Sequence, residues 1–360
     1  MNNNSRVIIW STDVIKLIEG NPIGGLAVQM FFWAQVFVNN GWKVFSFSKN
    51  AKATVVREGI VFHPLKNIQR VNFFLEWWHA FKFILIVRPE LLICRGSSRC
   101  LLALSFFSKL FDVKMVFYGA SDSDFETNKT PVGTTKLDRC MYLRSLRHIR
   151  YFVTQNQYQH DMLLRNFGKE SLVQFNIWGH NVDRIVDTPP RSDAVWIANL
   201  RRLKRAEWVL NAAETLPSFH FVLAGGRTGE ASYYEDILKR SELLANVAFL
   251  GGRSFFYTNN LVGKARVLLC TSLYEGFPNT FLQAWSVGIP VISTVDPSNI
   301  IRTNNLGVVV SSEEELREAL MRVLHDNDYY GSLQRSVKSF FVKNHSAQAG
   351  YENVINYIDK

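Results

Sequence analysis

Residues 272–290 read SLYEGFPNTFLQAWSVGIP, and the reading of the fold turns on what flanks them. Val267-Leu268-Leu269-Cys270 precedes the segment and Val291-Ile292 follows it. Both are short apolar runs of the kind expected for strands buried on both faces. Between them Glu275, Gly276 and Pro278 form a loop, and a short helix is expected from about Asn279 to Gly288, with Pro290 beyond it. A loop feeding a helix N-terminus at the carboxyl edge of a parallel sheet is where open α/β folds take ligands. The first amides of such a helix lack intrahelical partners, so the place favours an anion such as a diphosphate.

Working outward, strands are expected at 195–198, 219–224, 247–250, 267–270 and 291–293, alternating with helices at 207–215, 233–244, 280–287 and 313–324. The first half repeats the scheme, with strands at 7–10, 42–47, 91–94, 115–118 and 152–155 and helical patterns at 26–39, 73–87, 100–111 and 134–148. Strands alternating with helices mean parallel sheets. Periodicity lapses over 170–192, where Pro189-Pro190 marks a boundary. The expected fold class is therefore α/β, as two Rossmann-like domains, residues 1–180 and 181–344. A last helical pattern at about 337–358 returns residues 345–360 to the first domain. The opening strand–helix–strand unit is not a dinucleotide site, because it has no G-x-G-x-x-G and no carboxylate after the second strand.

The 360 residues suit two domains, and 47% hydrophobic against 20% charged residues gives a globular chain with ample core. Four separated cysteines offer neither a zinc pattern nor a disulfide framework. No secretory leader or membrane-spanning run is read, and the expectation is a cytoplasmic protein. The net charge of +10 is uneven: residues 1–185 hold 23 Lys and Arg against 13 Asp and Glu, and residues 186–360 hold 18 of each. Such a first half is expected to meet an anionic surface or substrate. No nucleic-acid module accompanies the charge, so nucleic acid is not the expected partner.

The 272–290 segment resembles the donor-site signature of the retaining glycosyltransferases of family four, whose two domains form the GT-B fold with a cleft between them. Their pattern is an acidic residue, a Gly-Phe-Pro loop and a second acidic residue eight positions after the first. Glu275 matches the first, and Gln283 stands where the second would be. The resemblance implies a sugar moved from a nucleotide-sugar donor to a hydroxyl of a glycan or lipid-linked acceptor, in cell-surface polysaccharide or glycolipid synthesis. No cofactor or metal is required beyond the donor. A non-catalytic GT-B protein binding a nucleotide or glycan is the alternative.

The same resemblance assigns roles. Glu275 meets the transferred sugar, while the backbone at Gly276, Phe277, Asn279 and Thr280 holds its hydroxyls and phosphate. Gln283 holds the ribose, since an amide can accept from one hydroxyl and donate to another. In 198–205, ANLRRLKR, Lys204 keeps the position of a diphosphate-binding lysine; Asn199 replaces an arginine, and Arg201 or Arg202 is the available substitute. A leaving nucleoside diphosphate gains negative charge, so cations are needed there. Gly225 and Gly252 end two strands at the same edge, with the nucleotide base placed near the second, and Gly25 borders the donor phosphates; turn glycines would explain all three equally. In the first domain Asp122 and Asp124 follow a strand and either position and deprotonate the acceptor hydroxyl or act as turn and cap residues. Residues 73–87, FFLEWWHAFKFILIV, either cover the first sheet or, with Lys66, Arg70 and Arg88, rest on an anionic membrane at its inner face. On helical spacing Phe74, Trp77, Trp78, Phe81 and Leu85 share one face, and Glu76, His79, Lys82 and Phe83 the other.

Overall fold

The computed structural model describes residues 5–21, 24–48, 52–64, 73–98, 100–127, 135–179, 189–228, 230–275 and 277–360, residues 73–76 by their backbone only. The chain divides into two compact units. One comprises Met1–Glu19, Ile23–Gly179 and Ala347–Lys360, and the other Gly20–Pro22 and His180–Ser346.

The first unit runs β1 (Arg6–Trp10), α1 (Val14–Ile18), α2 (Gly25–Asn39), β2 (Lys43–Ser48), β3 (Val55–Arg57), β4 (Ile60–Pro64), α3 (Phe73–Val87), β5 (Leu91–Arg95), α4 (Leu101–Leu110), β6 (Lys114–Tyr118), α5 (Lys136–His148), β7 (Tyr151–Thr154), α6 (Gln157–Phe167) and β8 (Leu172–Val173). Its sheet has the order β3-β4-β2-β1-β5-β6-β7-β8. Every pairing is parallel except β3 with β4. That antiparallel hairpin is not among the expected strands. Its two-residue turn, Glu58-Gly59, has φ of 51° and 74°, the positive values that tight hairpins demand. A Cβ on Gly59 would stand 2.7 Å from Val38 Cγ1, so the turn also needs glycine for space.

The second unit runs β9 (Ser192–Ile197), α7 (Ala206–Thr215), β10 (Phe221–Ala224), α8 (Ala231–Glu242), β11 (Val247–Phe249), α9 (Phe255–Val262), β12 (Ala265–Cys270), α10 (Asn279–Ser286), β13 (Val291–Ser293), α11 (Ile300–Asn304), β14 (Gly307–Val309), α12 (Glu313–His325) and α13 (Asn327–Asn344). Its sheet, β11-β10-β9-β12-β13-β14, is parallel throughout. Omitting the hairpin strand β3 and the edge strand β8, both sheets have the doubly wound order, which reverses between β1 and β5 in one and between β9 and β12 in the other. These are two Rossmann-like domains with a helical C-terminal region, the GT-B architecture. The strands read as unbroken apolar runs because both faces are covered. Ile8, Leu92, Phe117 and Phe152 lie in the first core; Trp196, Phe221, Leu269 and Leu320 lie in the second.

One expectation changes, and one open point is decided. The helical pattern at 337–358 is two helices, α13 of the second unit and α14 (Ala347–Ile358), which belongs to the first. α14 packs on α2: Tyr351 sits edge-on to Phe37 and its hydroxyl accepts from Trp42 Nε1 at 2.9 Å. A Cβ on Gly350 would lie 2.4 Å from Ile177 Cγ2, so glycine permits that seating. On α3 the buried face is Ala80, Phe83, Ile84 and Val87, whereas Trp78, Leu85 and Ile86 are exposed. The helix is apolar nearly all round, so spacing alone does not say which face meets the sheet.

Candidate functional site

The second sheet reverses its order between β9 and β12, and the loops leaving those two strands are tied to each other. Thr271, the residue after β12, is the knot. Its hydroxyl accepts from Trp196 Nε1 at 3.0 Å and donates to the carbonyls of Lys204 and Arg205 at 2.7 and 2.9 Å. Arg205 returns the tie, donating from Nε to Thr271 O at 2.6 Å and from Nη2 to Ser272 O at 3.2 Å. Its guanidinium lies 4.0 Å from the Trp208 ring centroid, and its φ of 49° turns the chain from a 3-10 turn at Arg202–Lys204 into α7. The amide of Leu273 donates to Leu203 O at 2.8 Å.

This lacing sets Lys204 against Glu275. Nζ donates to Glu275 Oε1, which also accepts from Ser272 Oγ at 2.9 Å. The two side chains are only 17% and 23% exposed, so the pair is shielded from water yet open enough to be approached. Gly276 lies outside the described residues. Pro278 is the N-cap of α10 in an extended conformation without a side-chain cap, and Asn279 and Thr280 open the helix. Phe277 is packed among Phe281, Trp285 and His345, which anchors the loop to α10 and α13.

Gln283 falls in the second turn of α10, is 4% exposed, and points its Nε2 at Thr258 Oγ1 of α9, 3.4 Å away. Arg202 is held by Glu230 at 2.9 Å. Arg201 is exposed and forms no ion pair among the described residues, so of the two arginines it is the one whose charge is uncommitted. Gly225 has a structural reason to be glycine: a Cβ there would stand 2.2 Å from Ala198 O. At Gly252 the nearest atom to a Cβ would be Gly226 Cα at 3.3 Å, a milder restriction. These two glycine loops end β10 and β11 on the same carboxyl edge.

In the first domain the two aspartates part company. Asp124 is 2% exposed, and its Oδ2 accepts from the amides of Ala120 and Ser121 at 2.7 and 3.0 Å, a capping box with Ser121. Burial raises its pKa, and the two amides and the Arg95 charge oppose that shift. Of the two roles open to it, the structure displays the cap. Asp122 is exposed, with Oδ1 accepting from Gln159 Nε2 at 3.0 Å. Gly25 is the first residue of α2, after the extended Gly24, and both are exposed. Lys66 and Arg70 lie outside the described residues. Among the described residues no three His, Cys, Asp or Glu side chains gather to hold a metal.

The residues that sequence reasoning missed are Trp196, Arg205, Thr271 and Ser272. A signal existed for the last two, the polar Thr-Ser directly after a buried apolar strand, but their partners lie far away in the chain.

Comparison with known proteins agrees with this fold. Residues 191–326 match the family described as "Glycosyl transferases group 1". No curated protein sequence matches. Among solved structures, the chain is similar to HepE of Anabaena, crystallised with UDP and glucose (TM-score 0.69, 12% identity, 99% of each chain covered). It is similar to the UDP-forming α,α-trehalose-phosphate synthase of Burkholderia xenovorans, with glucose-6-phosphate (0.68, 12%, covering 99% of this chain and 100% of that one). It is also similar to a protein of Listeria monocytogenes described as a "putative UDP-N-acetylglucosamine 2-epimerase" (0.65, 9%, covering 100% and 96%). At such identities these likenesses establish the fold, and a fold shared by transferases and a protein described as an epimerase leaves the chemistry to the site.

Proposed function

We propose that this protein is a retaining glycosyltransferase that moves a sugar from a nucleoside diphosphate donor to a hydroxyl of a glycan or lipid-linked acceptor. The observation that carries this reading is the Lys204–Glu275 pair, tied down at the strand-order reversal of the second sheet beside the N-terminus of α10. An arriving donor would split the pair. Lys204 turns to the diphosphate, joined by Arg201 and the first amides of α10, and Glu275 is released to accept from sugar hydroxyls. As the bond from the anomeric carbon to the diphosphate oxygen breaks, charge grows on the phosphate, and fixed cations there stabilise the transition state. The acceptor oxygen bonds to the same carbon, and its proton leaves to a base; of the two aspartates that follow β6, Asp122 is the exposed one and is the candidate for that role.

A second reading, a non-catalytic binder of the same fold, draws on Asn199 in place of an arginine and on Gln283 turned toward Thr258. Thermal denaturation with a panel of UDP-, GDP- and ADP-sugars separates binding from none, and product analysis separates transfer from epimerisation. A stabilised protein with no turnover would favour the binder; no stabilisation by any of the panel would count against the transferase and against a nucleotide binder.

For the acceptor side we propose a lipid surface as the working place, on the inner face of a membrane. Trp78 and Ile86 of α3 and Phe106 and Leu110 of the neighbouring α4 are 56, 55, 52 and 60% exposed. Lys82 and Arg88 are exposed beside them in sequence. An amphipathic surface of this kind suits anionic lipid. No described helix is long and apolar enough to cross a membrane. Flotation with liposomes, with and without anionic lipid, tests it; absence of binding to both defeats the idea.

A further inference from the structure

At the amino edge of the first sheet, opposite the strand ends that carry Asp122 and Asp124, lies a cavity of about 440 Å³. Val113, Met115 and Ile149 line it together with a group of basic residues. Lys109 lies in the last turn of α4 and Arg147 in that of α5, Arg150 directly precedes β7, and Lys169 follows α6. None of these four forms an ion pair among the described residues; Arg150 leans on the Tyr151 ring, 5.0 Å from its centroid. Lys114 also lines the cavity and is engaged by Asp359 at 2.8 Å. Asp112 is the one carboxylate in the lining.

Helix C-termini attract cations, which accounts for Lys109 and Arg147 without any ligand. It does not account for Lys169 and Arg150, nor for gathering like charges around one hollow. Nor does it account for Ser108, which lines the same cavity, is 2% exposed, and has a buried hydroxyl with no hydrogen-bond partner. A buried polar group left unpaired is costly, and such groups mark a missing partner. The size is within the range of small-molecule sites, about 300–1,000 Å³.

The geometry points to an anion site here for a compact, multiply charged phosphate compound, with Arg147, Lys169 and Lys109 neutralising it and the Ser108 hydroxyl donating to one of its oxygens. This site is separate from the proposed donor site and does not depend on that reading. It also gives a destination to the surplus charge of the first half. A hollow at the amino edge of the second sheet has the same ingredients, with Arg191, Lys264 and Arg266, Asp193, and a buried Ser192 hydroxyl without a hydrogen-bond partner among the described residues, so a substitution there is the control for the titration.

Isothermal titration of the full chain with inorganic pyrophosphate, in the presence of UDP, reads the site. We expect binding that weakens about tenfold or more in the Arg147→Gln/Lys169→Gln variant and several-fold in Ser108→Ala, the effect of losing hydrogen bonds to a charged group. Lys204→Ala and Lys264→Gln should leave it unchanged. Pyrophosphate binding that ignores the Arg147/Lys169 substitutions, or is lost with Lys204→Ala, overturns the inference, as does no binding at all. Vesicles of phosphatidylcholine and phosphatidylglycerol identify the source of the phosphate. Competition between vesicles and pyrophosphate, relieved by the same substitutions, makes it a lipid headgroup; pyrophosphate binding indifferent to vesicles makes it a soluble compound.

Discussion

At the carboxyl edge of the second sheet, Thr271 and Arg205 lace two loops together and press Lys204 against Glu275. At the same edge of the first sheet the acidic residues divide, Asp124 turned inward to cap its own turn and Asp122 left outside against Gln159. The two sheets share a strand order, so topology does not make the difference. The second edge invests its hydrogen bonds in holding two opposite charges together. The first invests its buried carboxylate in its own backbone. A repeated fold offers two equivalent crevices, and the side chains after the strands decide which becomes a site with fixed charge.

The comparison breaks most visibly at Glu275. Glu275→Ala should lower kcat/KM for sugar transfer by about 10²–10³-fold, the usual scale for removing a fixed polar group at the reacting centre. Asp124→Ala, measured in protein that remains folded, should leave kcat/KM within a few-fold and instead lower stability by about 1–2 kcal/mol, as loss of a cap does. Chemical denaturation and steady-state kinetics on both variants separate the two edges. If Asp124→Ala lost activity as Glu275→Ala does, the first edge would be catalytic after all.

Lys204 comes next. Lys204→Ala leaves the Glu275 carboxylate sheltered without its cation, and removing one member of a buried pair costs about 3–5 kcal/mol, so about 1–3 kcal/mol is expected for this partly exposed one. In Lys204→Ala/Glu275→Gln much of that loss should return, because the uncompensated charge is gone. A double-mutant cycle by denaturation measures the coupling, and strict additivity would show that the pair does not bear on stability.

Gly225→Ala sharpens the comparison through the backbone. The added Cβ would collide with Ala198 O, a contact of 2.2 Å that one loop or the other must yield. Overpacking of that kind costs about 1–3 kcal/mol. Gly252→Ala, whose Cβ would lie 3.3 Å from Gly226 Cα, a tight contact but no collision, should cost clearly less. Equal melting temperatures for the two variants would contradict the close approach.

The smallest effects separate two neighbouring arginines. Arg201→Ala should raise KM for the donor by several-fold, since its charge is uncommitted. Arg202→Ala breaks an exposed ion pair with Glu230, worth about 0–1 kcal/mol, and should scarcely move KM. A larger KM change in Arg202→Ala would reverse the assignment.

Much of this was legible before the structure. Buried parallel strands announce themselves as apolar runs such as Val267–Cys270, and Lys204 and Glu275 stood out because the segments that hold them resemble the signature of a known family. The lacing was not legible, because Thr271 meets Lys204 and Arg205 across 67 and 66 residues of chain, and no periodicity carries such a pairing. The buried face of α3 was not legible for another reason. A helix apolar on all sides has no moment to orient it, so the packing of Phe83 and Ile84 against the first core decided the matter. Asp124 looked equivalent to Asp122 because capping depends on the conformation of Ser121, which the letters Asp-Ser-Asp do not encode.

The central claim is that the second edge binds and activates a nucleotide-sugar. Its most direct test is turnover of UDP-, GDP- and ADP-sugars by the wild-type protein and by Glu275→Ala, followed by release of the free nucleoside diphosphate. The account predicts release from at least one donor by the wild type and near-complete loss in Glu275→Ala with the fold intact. Release from none of them, or equal release by both proteins, would contradict it.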